Sequence, residues 1–156
     1  MLDRRIDKIK GFGLLELMIT LVIVSLLMSL AVPAYDQFVQ KAKIAGAIGD
    51  IGTISIEIGK FRLRNDDALP ATLDELPVEI PLDPWGRPYS YLNITAAGPG
   101  VGAFRKDKNL NPLNTDFDLY SSGKDGNSDG PLSAKASRDD IVRANNGAYI
   151  GLGEDY

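Results

Sequence analysis

The chain has 156 residues, 44% of them hydrophobic and 24% charged, which is a length for one domain and a composition near the globular average. Histidine and cysteine are absent, which excludes a Cys/His zinc site, a thiol nucleophile, a Ser-His-Asp triad and a disulfide framework. A net charge of −4 leaves no electrostatic footprint for nucleic acid, while a carboxylate- or lysine-based enzyme stays open on composition.

The N-terminal residues set the compartment. Residues 1–11 read MLDRRIDKIKG, with Arg4, Arg5, Lys8 and Lys10 set against Asp3 and Asp7. Residues 12–32 then carry a single charge, Glu16. A helix over that run is about 31 Å long, the thickness of a bilayer's hydrocarbon core. The basic flank favours a cytoplasmic N-terminus with the rest of the chain facing outward. Two rivals compete with a membrane span: a buried helix of a soluble protein, and a cleaved secretory signal. Ser29-Leu30-Ala31 offers a small-x-small cleavage site, and Arg4-Arg5 hints at twin-arginine export. The length of the run and its asymmetric flanks argue against the first, and Glu16 against the second. A carboxylate at membrane depth costs a few kcal/mol, so it marks a functional position that requires a cationic partner.

Gly11-Phe12-Gly13-Leu14-Leu15-Glu16, after a basic leader and before a long apolar run, resembles the class III signal of type IV prepilins and pseudopilins. The resemblance implies cleavage by a membrane prepilin peptidase between Gly11 and Phe12 and methylation of the new Phe12 amine. It also implies that Glu16 pairs with the amine of a neighbouring subunit, and that Pro33 is the family's helix proline. Gly13 departs from the more usual Thr. Physical chemistry agrees: cleavage places an ammonium within a helical turn of Glu16, where a neighbour's amine neutralises the carboxylate in low dielectric.

Beyond Pro33 the pattern turns amphipathic. Ile44, Ile48, Ile51, Ile54, Ile58 and Phe61 recur at helical steps, with Lys41, Lys43, Asp50, Glu57 and Lys60 largely off the stripe. Residues 54–58 also alternate as a strand would, and Gly46, Gly49, Gly52 and Gly59 weaken a helix. Stripe length favours helix, one that Pro33 and the glycines allow to kink or locally melt. Prolines punctuate a connector over 65–88, where Thr72 and Glu75 form a weak capping box around one short turn. Asp83-Pro84-Trp85-Gly86 predicts a turn, and residues 89–92 and 116–120 predict strands. The Gly/Asn-rich span 93–115 is too long for a tight hairpin.

The string Pro81-Leu82-Asp83-Pro84-Trp85-Gly86-Arg87-Pro88-Tyr89, with the block 118–126, is similar to the major pseudopilin of type II secretion systems. Residues 93–115 and 142–156 match nothing in that pattern. Asp125-Gly126-Asn127-Ser128-Asp129-Gly130 matches the first half of a D-x-N-x-D-G calcium loop, although Ala136 stands where the closing glutamate belongs. Asp139 and Asp140 follow and could complete an oxygen cage; the bland alternative is a solvated turn. The resemblance implies a calcium ion (Ca²⁺) on Asp125, Asp140 and the Ser122 carbonyl. Loop chemistry adds Asn127, Asp129 and Asp139.

These readings together predict an α+β fold: a long N-terminal helix, transmembrane in its first half, with a small antiparallel sheet and a C-terminal loop region. The expected segments are a cleaved leader (1–11), a transmembrane and assembly helix (12–34), its amphipathic continuation (35–64) and a small sheet domain with a calcium loop (65–156). The expected function is structural and not enzymatic. Subunits wait in the bacterial inner membrane, N-terminus cytoplasmic and globular part periplasmic or outside, then stack into a filament, a secretion pseudopilus or a surface pilus. Implied partners are further copies of the chain, the prepilin peptidase, the inner-membrane assembly platform and minor pseudopilins, with no nucleic acid. A signal-cleaved carboxylate enzyme and a membrane-tethered calcium-dependent binding module are the alternatives.

Overall fold

The computed structural model describes residues 11–97, 104–108 and 110–156. The basic leader through Lys10 and residues 98–103 and 109 lie outside them. The chain divides into two compact units, Met1–Val39 and Gln40–Tyr156.

One helix, α1 (Leu14–Arg64), contributes to both units. It opens at Gly13, whose carbonyl accepts the amides of Glu16 and Leu17 at 3.0 and 3.1 Å. Helix continues through Pro33 without a break in its assignment. Proline removes one hydrogen bond there, a loss that a 51-residue helix absorbs. In the first unit every described residue up to Phe38 is exposed, although most are apolar.

In the second unit α1 presents the expected stripe. Ala47, Ile51, Ile54 and Ile58 are fully buried, and Ile44, Ile48 and Phe61 pack against them. The strand-like alternation at 54–58 therefore resolves as helix, because only a 3.6-residue period keeps Ile51, Ile54 and Ile58 on one face. The stripe packs on a four-stranded antiparallel sheet with strand order β1-β2-β3-β4. Its members are β1 (Ser90–Asn93), β2 (Phe117–Ser121), β3 (Ile141–Ala144) and β4 (Tyr149–Leu152). Register pairs Tyr91 with Leu119, Tyr120 with Val142 and Val142 with Gly151.

The two predicted strands are thus β1 and β2, each within a residue of expectation, and β3 and β4 are additions. Between β1 and β2 the described chain forms a single turn of helix, α2 (Ile94–Ala97). Side-chain alternation puts Phe117, Leu119 and Ile141 on the helix face. Val142 and Ala144 point to the opposite face, where Leu113, Leu132 and half-buried Tyr120, Tyr149 and Tyr156 cover them.

The short turn after the connector prolines is a 3₁₀ helix, Leu73–Glu75. Its expected Thr72–Glu75 capping box does not form: the bond from Glu75 goes one residue too far back. Glu75 accepts the Ala71 amide at 3.0 Å, while the Thr72 side chain makes no capping bond.

Candidate functional site

The apolar N-terminal segment is chemically sparse. Thr20, Ser25 and Ser29 return their hydroxyls to the carbonyls of Leu17, Leu21 and Leu26 at 2.7–2.8 Å. These polar side chains are therefore satisfied within their own helix, as a hydrocarbon surrounding requires. Among the described residues the Glu16 carboxylate has no such partner. Gly11, Phe12 and Glu16 lie at one end of the apolar run, all exposed, and Pro33 lies near the other. The helix contains a stretch long and apolar enough to cross a membrane, none of it buried in the fold.

The second cluster joins the two blocks that the sequence singled out. Asp83 Oδ1 accepts the amides of Trp85 and Arg87 at 3.0 and 2.8 Å, which closes the turn. Its Oδ2 accepts the Ser121 hydroxyl at 2.6 Å, and Ser121 Oγ in turn accepts the Gly123 amide. The Arg87 guanidinium donates to the Gly123 carbonyl. Gly123 has φ +61°, and a Cβ there would sit 2.0 Å from the Asp139 carbonyl oxygen; only glycine fits. At Gly126 a Cβ would meet the Arg87 guanidinium at 2.8 Å. Trp85, partly buried, packs against the core. On the helix, Asp50 accepts the Tyr89 hydroxyl at 2.7 Å. Burial, reinforced by that bond, holds the Tyr89 phenol neutral well above its ordinary range.

The expected calcium ligands occupy two places. In the outer turn, Asp125 Oδ1 accepts the Asn127 amide at 2.7 Å, and Asp139 Oδ2 accepts the Asp125 amide at 2.9 Å. The Ser122 carbonyl accepts the Gly126 amide at 3.2 Å. Asp140, fully buried, faces Arg105 instead. Arg105 Nη2 donates to Asp140 Oδ2 at 2.5 Å, and Arg105 Nη1 donates to the Ser128 hydroxyl and the Asp129 carbonyl at 2.5 and 2.7 Å. The Ser128 hydroxyl donates in turn to Asp140 Oδ2 at 2.6 Å. Burial pushes the Asp140 carboxyl above the ordinary carboxylate range, against the opposite pull of Ser128 and Arg105.

This donor set, as arranged, does not fit a calcium ion. Calcium takes six to eight oxygens. Here one oxygen each of Asp125 and Asp139 accepts a backbone amide, and Asp140 Oδ2 is turned toward a guanidinium. Among the described residues no three carboxylates are grouped to hold a metal.

Sequence reading missed the arginines. Arg105 and Arg143 are almost completely buried, Arg143 forming a fork to both Asp116 oxygens at 2.7–2.8 Å while stacking 3.9 Å from the Phe117 ring centre. The signal lay in the strand Asp116-Phe117-Asp118-Leu119-Tyr120: acids on a strand that is buried on both faces require cations or donors. Asp118 finds the Arg105 amide and the Asn114 side chain at 2.7 and 2.9 Å.

A leader-flanked apolar helix with one carboxylate near its start, continuing into a small α+β unit, defines a prepilin-type subunit. The prokaryotic N-terminal methylation motif matches residues 6–32. The type II secretion system core protein G of Pseudomonas aeruginosa is 31% identical over 141 residues, covering 77% of this chain and 87% of that one. The protein of that name from Escherichia coli K12 is 31% identical over 79% of this chain and 87% of its own length, and that of Aeromonas hydrophila 29% over 74% and 83%. The chain belongs to the type II secretion system core protein G family. No solved structure matches it.

Proposed function

We propose that this chain is the repeating subunit of a pilus-like filament, the pseudopilus of a type II secretion system. The supporting observation is the first unit of the structure. Its apolar helix is wholly exposed, satisfies its own hydroxyls, and leaves one carboxylate without an intrahelical partner. Such a surface has two compatible surroundings, lipid before assembly and sister helices after it. Residues 12–32 span the inner membrane with the basic leader cytoplasmic, as the positive-inside rule directs. A prepilin peptidase cuts between Gly11 and Phe12, and the Phe12 amine is methylated. In the filament that amine neutralises Glu16 of a neighbouring copy and sets the register, while leucine and isoleucine faces supply packing. The assembly platform and minor pseudopilins of the same machine are the partners this role requires. No reaction is catalysed in it.

The test is at Gly11. A peptidase needs close backbone approach there, and a side chain obstructs it. Gly11→Val should leave full-length precursor in the membrane fraction. Mature protein beginning at Phe12 in that variant would remove the basis for the processing step.

A further inference from the structure

The interior of the C-terminal loop has a positive charge built into it. Three oxygens of different chemistry converge on one guanidinium: the Asp140 carboxylate, the Ser128 hydroxyl and the Asp129 carbonyl, all within 2.7 Å of Arg105 nitrogens. That is a hard-oxygen set of the type that binds a divalent cation. We propose that the Arg105 guanidinium takes the place of a metal ion at Asp140 and fastens the C-terminal loop to the sheet without one.

Several observations carry this. Both side chains are desolvated, Arg105 at 3% and Asp140 at 0% exposure, so neither charge is viable without the other. Arg105 is held from its backbone as well. Its amide donates to Asp118 on β2, and its carbonyl accepts the Leu113 amide at 2.7 Å. Its guanidinium lies over the Tyr120 ring at 4.2 Å, a surface that a hydrated ammonium or metal ion would not use.

The two buried atoms without partners in this pair are Arg105 Nε and Asp140 Oδ1. They belong to the same ion pair. The side-on fork, in which Nη2 keeps Oδ2 and Nε meets Oδ1, is the geometry that would pair them with each other. A metal ion at Asp140 would have to expel Arg105 from a site where Ser128 and Asp129 already hold it.

The origin of Arg105 adds to this. It comes from the span 93–115, which has no counterpart in the pseudopilin pattern read from the sequence. That span delivers the cation. The Asp140 carbonyl accepts the Gly153 amide at 2.8 Å, so the pair also bears on the C-terminal tail beyond β4.

The test is a melt of the full chain in detergent micelles, followed through Trp85, the sole tryptophan and a member of the second unit. Wild type should melt at the same temperature in calcium chloride and in chelator. Arg105→Met strands Asp140 in the interior and should lower the melting temperature in chelator by roughly 10 °C or more. Should Arg105→Met fail to accumulate, Arg105→Lys serves: it keeps the charge, loses the fork and should melt measurably below wild type. A calcium-dependent rise in the wild-type melting temperature would overturn the proposal. So would an Arg105→Met or Arg105→Lys variant that melts with wild type. The outcome does not depend on filament formation, whose failure would be seen in processing and assembly.

Discussion

The two units of the chain solve opposite problems. In the described part of the first unit the structure is nearly fixed by composition: a run of apolar residues with one proline makes a helix, exposed along its length as far as Phe38. In Gln40–Tyr156 the helix is only one wall, and its meaning comes from distant residues such as Leu76, Phe117 and Ile141 that bury its stripe. The first region is simple in structure and incomplete without surroundings. The second is complete in itself and held by charges that face inward. Function sits where the fold is unfinished, and stability where it is closed. A substitution should therefore affect assembly or melting, but rarely both.

The largest separation is expected at Glu16. Under the proposed pairing, Glu16→Leu leaves a neighbour's amine unpaired in the filament, a loss of roughly 3–5 kcal/mol per contact. Assembly should fail in a filament-shearing assay, while processing, membrane insertion and the Trp85 melt stay at wild type. A shifted melt would break the division between the units. Ile54→Ala is the reverse case. It empties a fully buried position and should destabilise the second unit by roughly 2–5 kcal/mol, seen as a lower denaturation midpoint, with Phe12 processing unchanged.

A smaller effect is expected from Tyr89→Phe, which removes the phenol's bond to Asp50 across the helix–sheet contact. About 1 kcal/mol should be lost in the same melt. A null result would make that bond redundant with the surrounding packing.

The smallest effect is a pH dependence at Asp116. Burial pushes its carboxyl upward, but the Arg143 fork and the Phe117 amide outweigh burial and hold it below the ordinary range. Its ionised form is therefore favoured in the folded chain. That contribution is present above the ordinary carboxylate pKa and is lost as pH falls through the lowered value. The melting gap between wild type and Asp116→Asn should close on acidification. Burial pushes Asp118 and Asp140 the other way, but both proteins share them, so they cancel in the difference.

Legibility followed the same division. The apolar run, Glu16 and the isoleucine stripe were readable because each is a local pattern with a fixed period. The turn at 83–86 and strands β1 and β2 were readable from turn residues and alternation. Strands β3 and β4 were not. Ile141-Val142-Arg143-Ala144 carries an arginine in mid-strand, and the next turn is made by Asn145 and Asn146 in left-handed backbone, a common setting for solvated loops. The calcium expectation shows a different limit. The Asp-x-Asn-x-Asp spacing is real, and Asn127 does close on Asp125. Spacing along the chain does not disclose a buried arginine from 35 residues upstream that reaches Asp140 first. Local sequence records oxygen ligands in order; the guanidinium that pairs with Asp140 is brought there by long-range packing.

The central claim is that the first unit is a cleaved, methylated assembly helix. It is tested most directly by N-terminal mass spectrometry of the mature protein recovered from membranes. A chain that begins with N-methylated Phe12 is the predicted result. A chain beginning at Val32 would make the apolar run a secretory signal, and one retaining Met1 would make it a plain anchor; either would contradict the account.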